Sequence, residues 1–384
     1  MDPDANGNET ADVTLYGGVR LWPGAELWAN PEVDQGFGLS KTLGVAGFPS
    51  GEAYKVGAYQ PYVRLPRAFL RQTIGLGGSV ETVDPDLNQL GGARRQDRLV
   101  FTLGKFSVVD VFDTNQYAHD PRRDFLNWSI VDIGTFDYAA DAWGFTYGAA
   151  GEWYQDWWTV RAGAFVLSKV PNSKDLETRV IAQNQYVLEL EERHAIRDQP
   201  GKLKLLGFVM HGRMGAYDAA TSLAQETGMP ADIAAVRRQH TKAGMGLNLE
   251  QQLAPDLGVF ARAGFTQGRY EAFEFTDINK TVSFGLSLAG GRWERPKDTF
   301  GLAMAVNDAS SAAKHFFNGG GLGILVGDGQ LPRSGVEYIM ETYYSFAPLS
   351  FARLTLDYQF IARPAYNRDR GPVSVFGVRV HVEF

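Results

Sequence analysis

The chain of 384 residues has no cysteine, which excludes disulfides and thiolate metal sites and leaves the compartment open. It also lacks any apolar run of about eighteen residues, and its mean hydropathy is -0.22, so membrane-crossing helices are excluded. A protein that crosses a membrane with strands escapes this test, because only every second residue then meets lipid. Positive charge is in deficit, with a net charge of -7, which argues against nucleic acid as a partner. The histidines His119, His194, His211, His240, His315 and His381 show no paired spacing for a metal, and no GxSxG or HExxH string occurs. Gly77-Gly78 and Gly319 to Gly321 lack the Lys-Ser/Thr ending of a phosphate loop. No enzyme, cofactor or metal is therefore expected. The opening MDPDANGNET has no apolar stretch, so a secreted reading takes the sequence as a processed or recombinant form. What is abundant is glycine, at 44 residues, and aromatics, at 12%. Glycine lets neighbouring side chains fit a curved sheet, and aromatics suit a membrane interface.

The last residues, VSVFGVRVHVEF, alternate without exception. Phe376, Val378, Val380, Val382 and Phe384 share one face; Gly377, Arg379, His381 and Glu383 share the other. A closing strand that ends on an aromatic carboxy-terminal residue resembles the terminal signature of bacterial outer-membrane barrels, read by their assembly machinery. The same period recurs upstream. Leu99, Phe101 and Leu103 oppose Arg98 and Thr102; Tyr186, Leu188 and Leu190 oppose Glu189 and Glu191. Val259, Ala261 and Ala263 oppose Arg262, and Tyr338 and Met340 oppose Glu337 and Glu341. Counting such segments, with shorter ones at Val13, Ala25 and near Gly134, gives about sixteen strands, the even number that bacterial barrels require. The expected fold is all-β: one transmembrane antiparallel up-and-down barrel over residues 1–384, with residues 1–12 as a flexible polar tail.

Some stretches break the pattern. Pro31 to Gln60 and Val108 to Ile130 read as long loops, the first a candidate to fold inward and narrow a channel. Tyr62 to Ile74 places Arg64, Arg67 and Arg71 on one side only if a bulge sits at Pro66. Lys105 has lipid parity, so it lies beyond the apolar band or Gly104 breaks the register. Trp153, Tyr154, Trp157 and Trp158 crowd a short turn, as an interfacial girdle would. Ala219 to Val236 and Ala309 to Phe317 read as loop helices between strands.

Four of these stretches resemble the carbohydrate-selective porins of the OprB-like family: Asn30 to Gly57, Arg64 to Thr73, Thr102 to Trp128 and Pro364 to Phe384. The region from Asp175 to Gly335 is matched by its strand pattern alone. The resemblance implies a sixteen-stranded pore in the outer membrane of a Gram-negative bacterium, passing monosaccharides such as glucose by passive diffusion. Its partners would be sugars, outer-membrane lipid and lipopolysaccharide, and the assembly machinery through Phe384; it would be a monomer or a homotrimer. An anion-preferring general porin, a soluble carbohydrate-binding protein and a polysaccharide exporter are the competing readings.

A sugar pore exchanges hydration for several weak contacts in series, from planar donors, carboxylates and an aromatic face. Glu32 and Asp34 in the first loop, and Arg64, Arg67 and Arg71 on the irregular strand, are the expected constriction. From the dense polar run after Val108, Asp113, Asn115 and Arg122 join them, with Trp128 as a stacking platform and Arg368 at a charged mouth.

Overall fold

The computed structural model describes residues 7–53 and 57–384. The first six residues of the expected tail lie outside them, and Thr10 to Asp12 belong to a strand rather than to a tail. One antiparallel sheet holds sixteen strands in chain order. β1 (Thr10–Thr14) and β2 (Gly17–Trp22) both pair with β3 (Ala25–Phe37), end to end. There follow β4 (Gly57–Val83), β5 (Gly92–Phe106), β6 (Thr146–Gln155), β7 (Trp158–Val166), β8 (Asn184–Ile196), β9 (Gln199–Met214), β10 (Arg238–Ala254) and β11 (Leu257–Thr266). β12 (Lys280–Gly290), β13 (Arg295–Asp308), β14 (Glu337–Leu349), β15 (Ala352–Ala362) and β16 (Val373–Val382) complete the order.

The period of two sorts the wall as expected. On β14, Glu337 and Glu341 are fully buried while Tyr338 is 43% exposed. On β16, Phe376, Val378 and Val380 are more than 70% exposed. The inner face carries paired charge: Arg161 of β7 lies 2.8 Å from Glu189 and 2.9 Å from Glu191, both of β8. Such charges need partners because neither lipid nor protein solvates them alone. Glycine opens room for rings on the wall; a Cβ at Gly258 would stand 2.0 Å from the Tyr117 ring.

The segment from Ser107 to Phe145 contains no strand, so the one expected near Gly134 is absent. It holds a 3-10 turn at Val108–Asp110 and one turn of α-helix, α1 (Trp128–Val131), capped by the Asn127 side chain, which accepts from the Ser129 amide at 3.1 Å. Wall strands reach this segment from many directions. Glu189 of β8 accepts from the Asp113 amide at 2.8 Å, Asn248 of β10 accepts from Asn115 at 2.7 Å, and Glu341 of β14 accepts from the Asn127 amide at 3.0 Å. The sheet therefore curls round the segment, which fills much of its interior. At Pro121 to Asp124 the segment also touches both ends of the strand order. Arg122 donates to the Tyr16 hydroxyl at 2.7 Å, between β1 and β2, and Arg379 of β16 donates to the Asp124 carbonyl at 3.0 Å. Arg123 pairs with Glu383 just beyond β16.

Both loop helices form, with shifted bounds. α2 (Tyr217–Thr227) stops nine residues before Val236, because Gly228 takes φ 69° and Pro230 cannot continue a helix. α3 (Ser311–Asn318) is capped by Ser310, which accepts from the Ala313 amide at 3.0 Å. Trp153 and Trp158 meet edge to face at 5.1 Å beside the turn at Asp156-Trp157, on the outside of the sheet. Lys105 keeps its outward parity at the end of β5 and reaches Asp141 at 3.3 Å.

Candidate functional site

β3 runs on to Phe37, so Glu32 and Asp34 sit on a strand and not in the inward loop expected from sequence. Pro31 does not interrupt β3 because the β3–β4 register shifts between Asn30 and Glu32, leaving it outside the ladder with β4. Opposite that shift, Asn30 pairs with Arg67 and Glu32 with Arg64, so Leu65 and Pro66 hold one extra residue. This is the expected bulge, and it brings Arg64 and Arg67 to the same inner face. Arg64 pairs with both Glu32 and Asp34. Arg67 lies 2.6 Å from Asp110, whose carboxylate also accepts from the Ser107 amide at 2.9 Å.

The two guanidinium carbons lie 5.2 and 4.9 Å from the centre of the Phe145 ring. The atom Nη1 of Arg64 is buried with no hydrogen-bond partner among the described residues. A buried donor of that kind calls for a ligand or a water.

Two cavities flank this pair of arginines along β4. Towards the long loops, a cavity of about 560 Å³ is lined by Tyr62, Gln60, Trp143, Lys41 and Lys174 among others. Towards the short turns, a cavity of about 280 Å³ is lined by Arg67, Arg71, Asp110, His119, Arg122 and Tyr16 among others. Arg71 donates to the Asn88 carbonyl at 2.7 Å, which fixes the floor of the smaller cavity. Behind Arg122, burial opposes the charge on Asp120, but Arg122 at 3.0 Å outweighs it and holds the carboxyl far below its usual value. Burial likewise works against a charged His119, and Asp132 at 3.7 Å outweighs it, so the imidazole titrates above the usual histidine value.

Of the residues expected from sequence, Glu32, Asp34, Arg64, Arg67, Arg71 and Arg122 come together here. Three others anchor the inner segment instead of lining a path. Asp113 is fully buried against Arg262 at 3.1 Å, and its amide and carbonyl are bonded to the wall as well. Burial pushes its carboxyl up, opposed by Arg262. Asn115 is buried on Asn248. Trp128 is 4% exposed, stacked on Phe48 at 5.2 Å and packed against Tyr138 and Phe275, so it offers no platform. Arg368 is exposed on the β15–β16 connection, its amide donating to the Arg333 carbonyl at 3.0 Å, apart from the cluster. Sequence reasoning missed Phe145, Trp143, Tyr62 and Tyr16. Only their aromatic character could have signalled them, in a chain rich in aromatics.

A curled antiparallel sheet with an apolar outside, a paired-charge inside and an inward-folded segment beside polar cavities is an outer-membrane β-barrel channel. The chain belongs to the carbohydrate-selective porin, OprB family, whose match spans residues 1–384. It is thus a sugar-selective porin of a Gram-negative outer membrane, a diffusion channel and not an enzyme. A high-pH structure of Pseudomonas putida OprB is similar at 17% identity and a TM-score of 0.74, covering 98% of this chain and 88% of that one. A loop-deletion mutant of Vibrio cholerae OmpT matches at 10% identity and a TM-score of 0.47, covering 98% and 97%. Acinetobacter baumannii OccAB1 matches at 9% identity and a TM-score of 0.46, covering 98% and 89%. Comparison with curated proteins gives no match.

Proposed function

We propose that solute passes down the β3–β5 side of the barrel, from the larger cavity past Arg64, Phe145 and Arg67 into the smaller one, and that the solute is a monosaccharide such as glucose. The observation that carries this reading is the order along β4: Tyr62 lines the upper cavity, Arg67 lines the lower, and Arg64 stands between them with a buried donor to spare. Each arginine on the path already faces a carboxylate or a carbonyl. Paired in this way they supply planar donors to vicinal hydroxyls without a strong net field, which suits a neutral sugar. The Phe145 ring adds an apolar face for a pyranose.

The test is single-channel conductance of the purified chain in a planar bilayer, with glucose, a disaccharide and succinate titrated in turn. Glucose should block the current in the low millimolar range while succinate has little effect, and Arg67→Ala should raise the blocking concentration about tenfold, the loss of one charge-assisted contact. Equal block by succinate would favour an anion-preferring general porin, a reading supported by the number of arginines. Conductance without any sugar block would sink the monosaccharide path.

Phe384, fully exposed and stacked on Phe351 at 5.6 Å, supports a reading as the handle for the barrel assembly machinery. Phe384→Ser should lower the amount of heat-modifiable barrel recovered from the outer membrane. Contact with lipopolysaccharide at the long-loop rim, and a monomer or homotrimer, complete the proposal; crosslinking in intact membranes tests the last.

A further inference from the structure

The larger cavity carries charge of one sign. Its lining includes Lys41 and Lys174 and, among the described residues, no aspartate or glutamate. That is unexpected in a chain with a net charge of -7. Neither lysine has an ion pair among the described residues, whereas the arginines deeper in the path are paired. Lys41 is held in the middle of three successive residues, Ser40, Lys41 and Thr42, at φ 49°, 56° and 66°. None of them is glycine, and such conformations persist only where the surroundings impose them. Across the cavity the Lys174 ammonium stands 4.9 Å from the centre of the Trp143 ring. That ring is fixed in turn by its Nε1, which donates to the Tyr62 hydroxyl at 3.0 Å.

A flat aromatic surface held in place, one ammonium group against it, a second on the same lining and amide side chains from Gln60 and Asn172 form a set with a specific complement. The surface takes the apolar face of a pyranose, the amides take hydroxyls, and the cations take a carboxylate. We propose that this cavity is a capture site for sugar acids, monosaccharides that carry one carboxylate, ahead of the arginine passage. The inference rests on the path proposed above. It differs in consequence: a neutral hexose uses the ring and the amides alone, whereas a hexuronate also uses both lysines. No covalent step is involved.

Glucuronate, glucose and succinate distinguish the possibilities in the bilayer experiment, with the full chain and with a Lys41→Gln/Lys174→Gln double variant. Glucuronate should block at about one-tenth of the concentration that glucose needs, the combined worth of two partly exposed ion pairs. The double variant should bring the two sugars together, and raised salt should do the same by screening. Equal block by glucose and glucuronate in the unaltered chain would overturn the proposal, as would succinate matching glucuronate, which would mark a plain anion site. Should no sugar affect the current, the path reading fails. The capture site is then read by calorimetric titration of the detergent-solubilised chain with glucuronate: binding lost in the double variant supports it, and no binding overturns it.

Discussion

Arg262 shows what a single residue does inside this barrel. Its guanidinium is wholly buried, lies 3.1 Å from Asp113, and donates to the carbonyls of Ile130 at 2.8 Å and Ala118 at 2.7 Å. Arg262→Met would leave the Asp113 carboxylate buried without its cation, so a loss of about 3–5 kcal/mol is expected. A downward shift of the heat-modifiability transition in detergent would report it. The double variant Arg262→Met/Asp113→Leu should recover part of that loss, since an apolar pair of similar volume needs no counter-charge. Asp277 makes a pH prediction. Burial raises its carboxyl from 3.8 to about 6, although it accepts from the Leu325 amide at 2.8 Å and from Val326. A raised acid favours the folded state at low pH, so its contribution is fully present below 3.8 and is lost as pH rises towards about 6. Hydrogen exchange at Leu325 and Val326 should therefore quicken across that window by up to about two powers of ten, and Asp277→Asn should flatten the dependence.

At the scale of elements, the inner segment and the wall were cut to fit each other. Gly258 on β11 faces Tyr117 so closely that a leucine there must push the segment away from the wall. Gly258→Leu should cost about 1–3 kcal/mol in detergent unfolding, the usual penalty of overpacking, and should alter single-channel conductance without removing the barrel. This fit also explains what the sequence could and could not disclose. Alternation on β14 and β16 was legible because one face meets lipid and the other does not, which no local context overrides. Arg64 and Arg67 could be placed on one face because a proline within an alternating strand implies a bulge. The anchoring roles of Asp113, Asn115 and Trp128 are not legible in the sequence for a different reason. A polar run between strands reads the same whether it is solvated at the mouth or bonded to the inner wall, and only long-range partners such as Glu189, Asn248 and Arg262 decide between them. Pro31 and the glycines around Glu32 and Asp34 look like turn signals and suggest a loop, whereas a register shift absorbs the proline.

At the scale of the whole molecule, the chain builds a selective channel by filling most of a wide barrel and leaving one side free. The short connections gather at one end and the long ones at the other; Leu87 and Asn88 of the β4–β5 connection close the smaller cavity from the short-connection end, and the segments that fill the rest of the interior descend from the long-loop end. Among them, the stretch from Pro121 to Asp124 has two duties that are not independent. Arg122 lines the smaller cavity and also holds Tyr16 near the start of the sheet, while its neighbours hold Arg379 and Glu383 at the other end. The fastening of the wall thus shares a side chain with the lining of the smaller cavity, so on the proposed path mechanical integrity and permeability are linked. Arg122→Ala should lower the thermal transition and widen the conducting path in one step, measured as a fall in the heat-modifiability temperature together with a rise in unit conductance. A channel made in this way cannot be enlarged at that point without loosening the seam that encloses it.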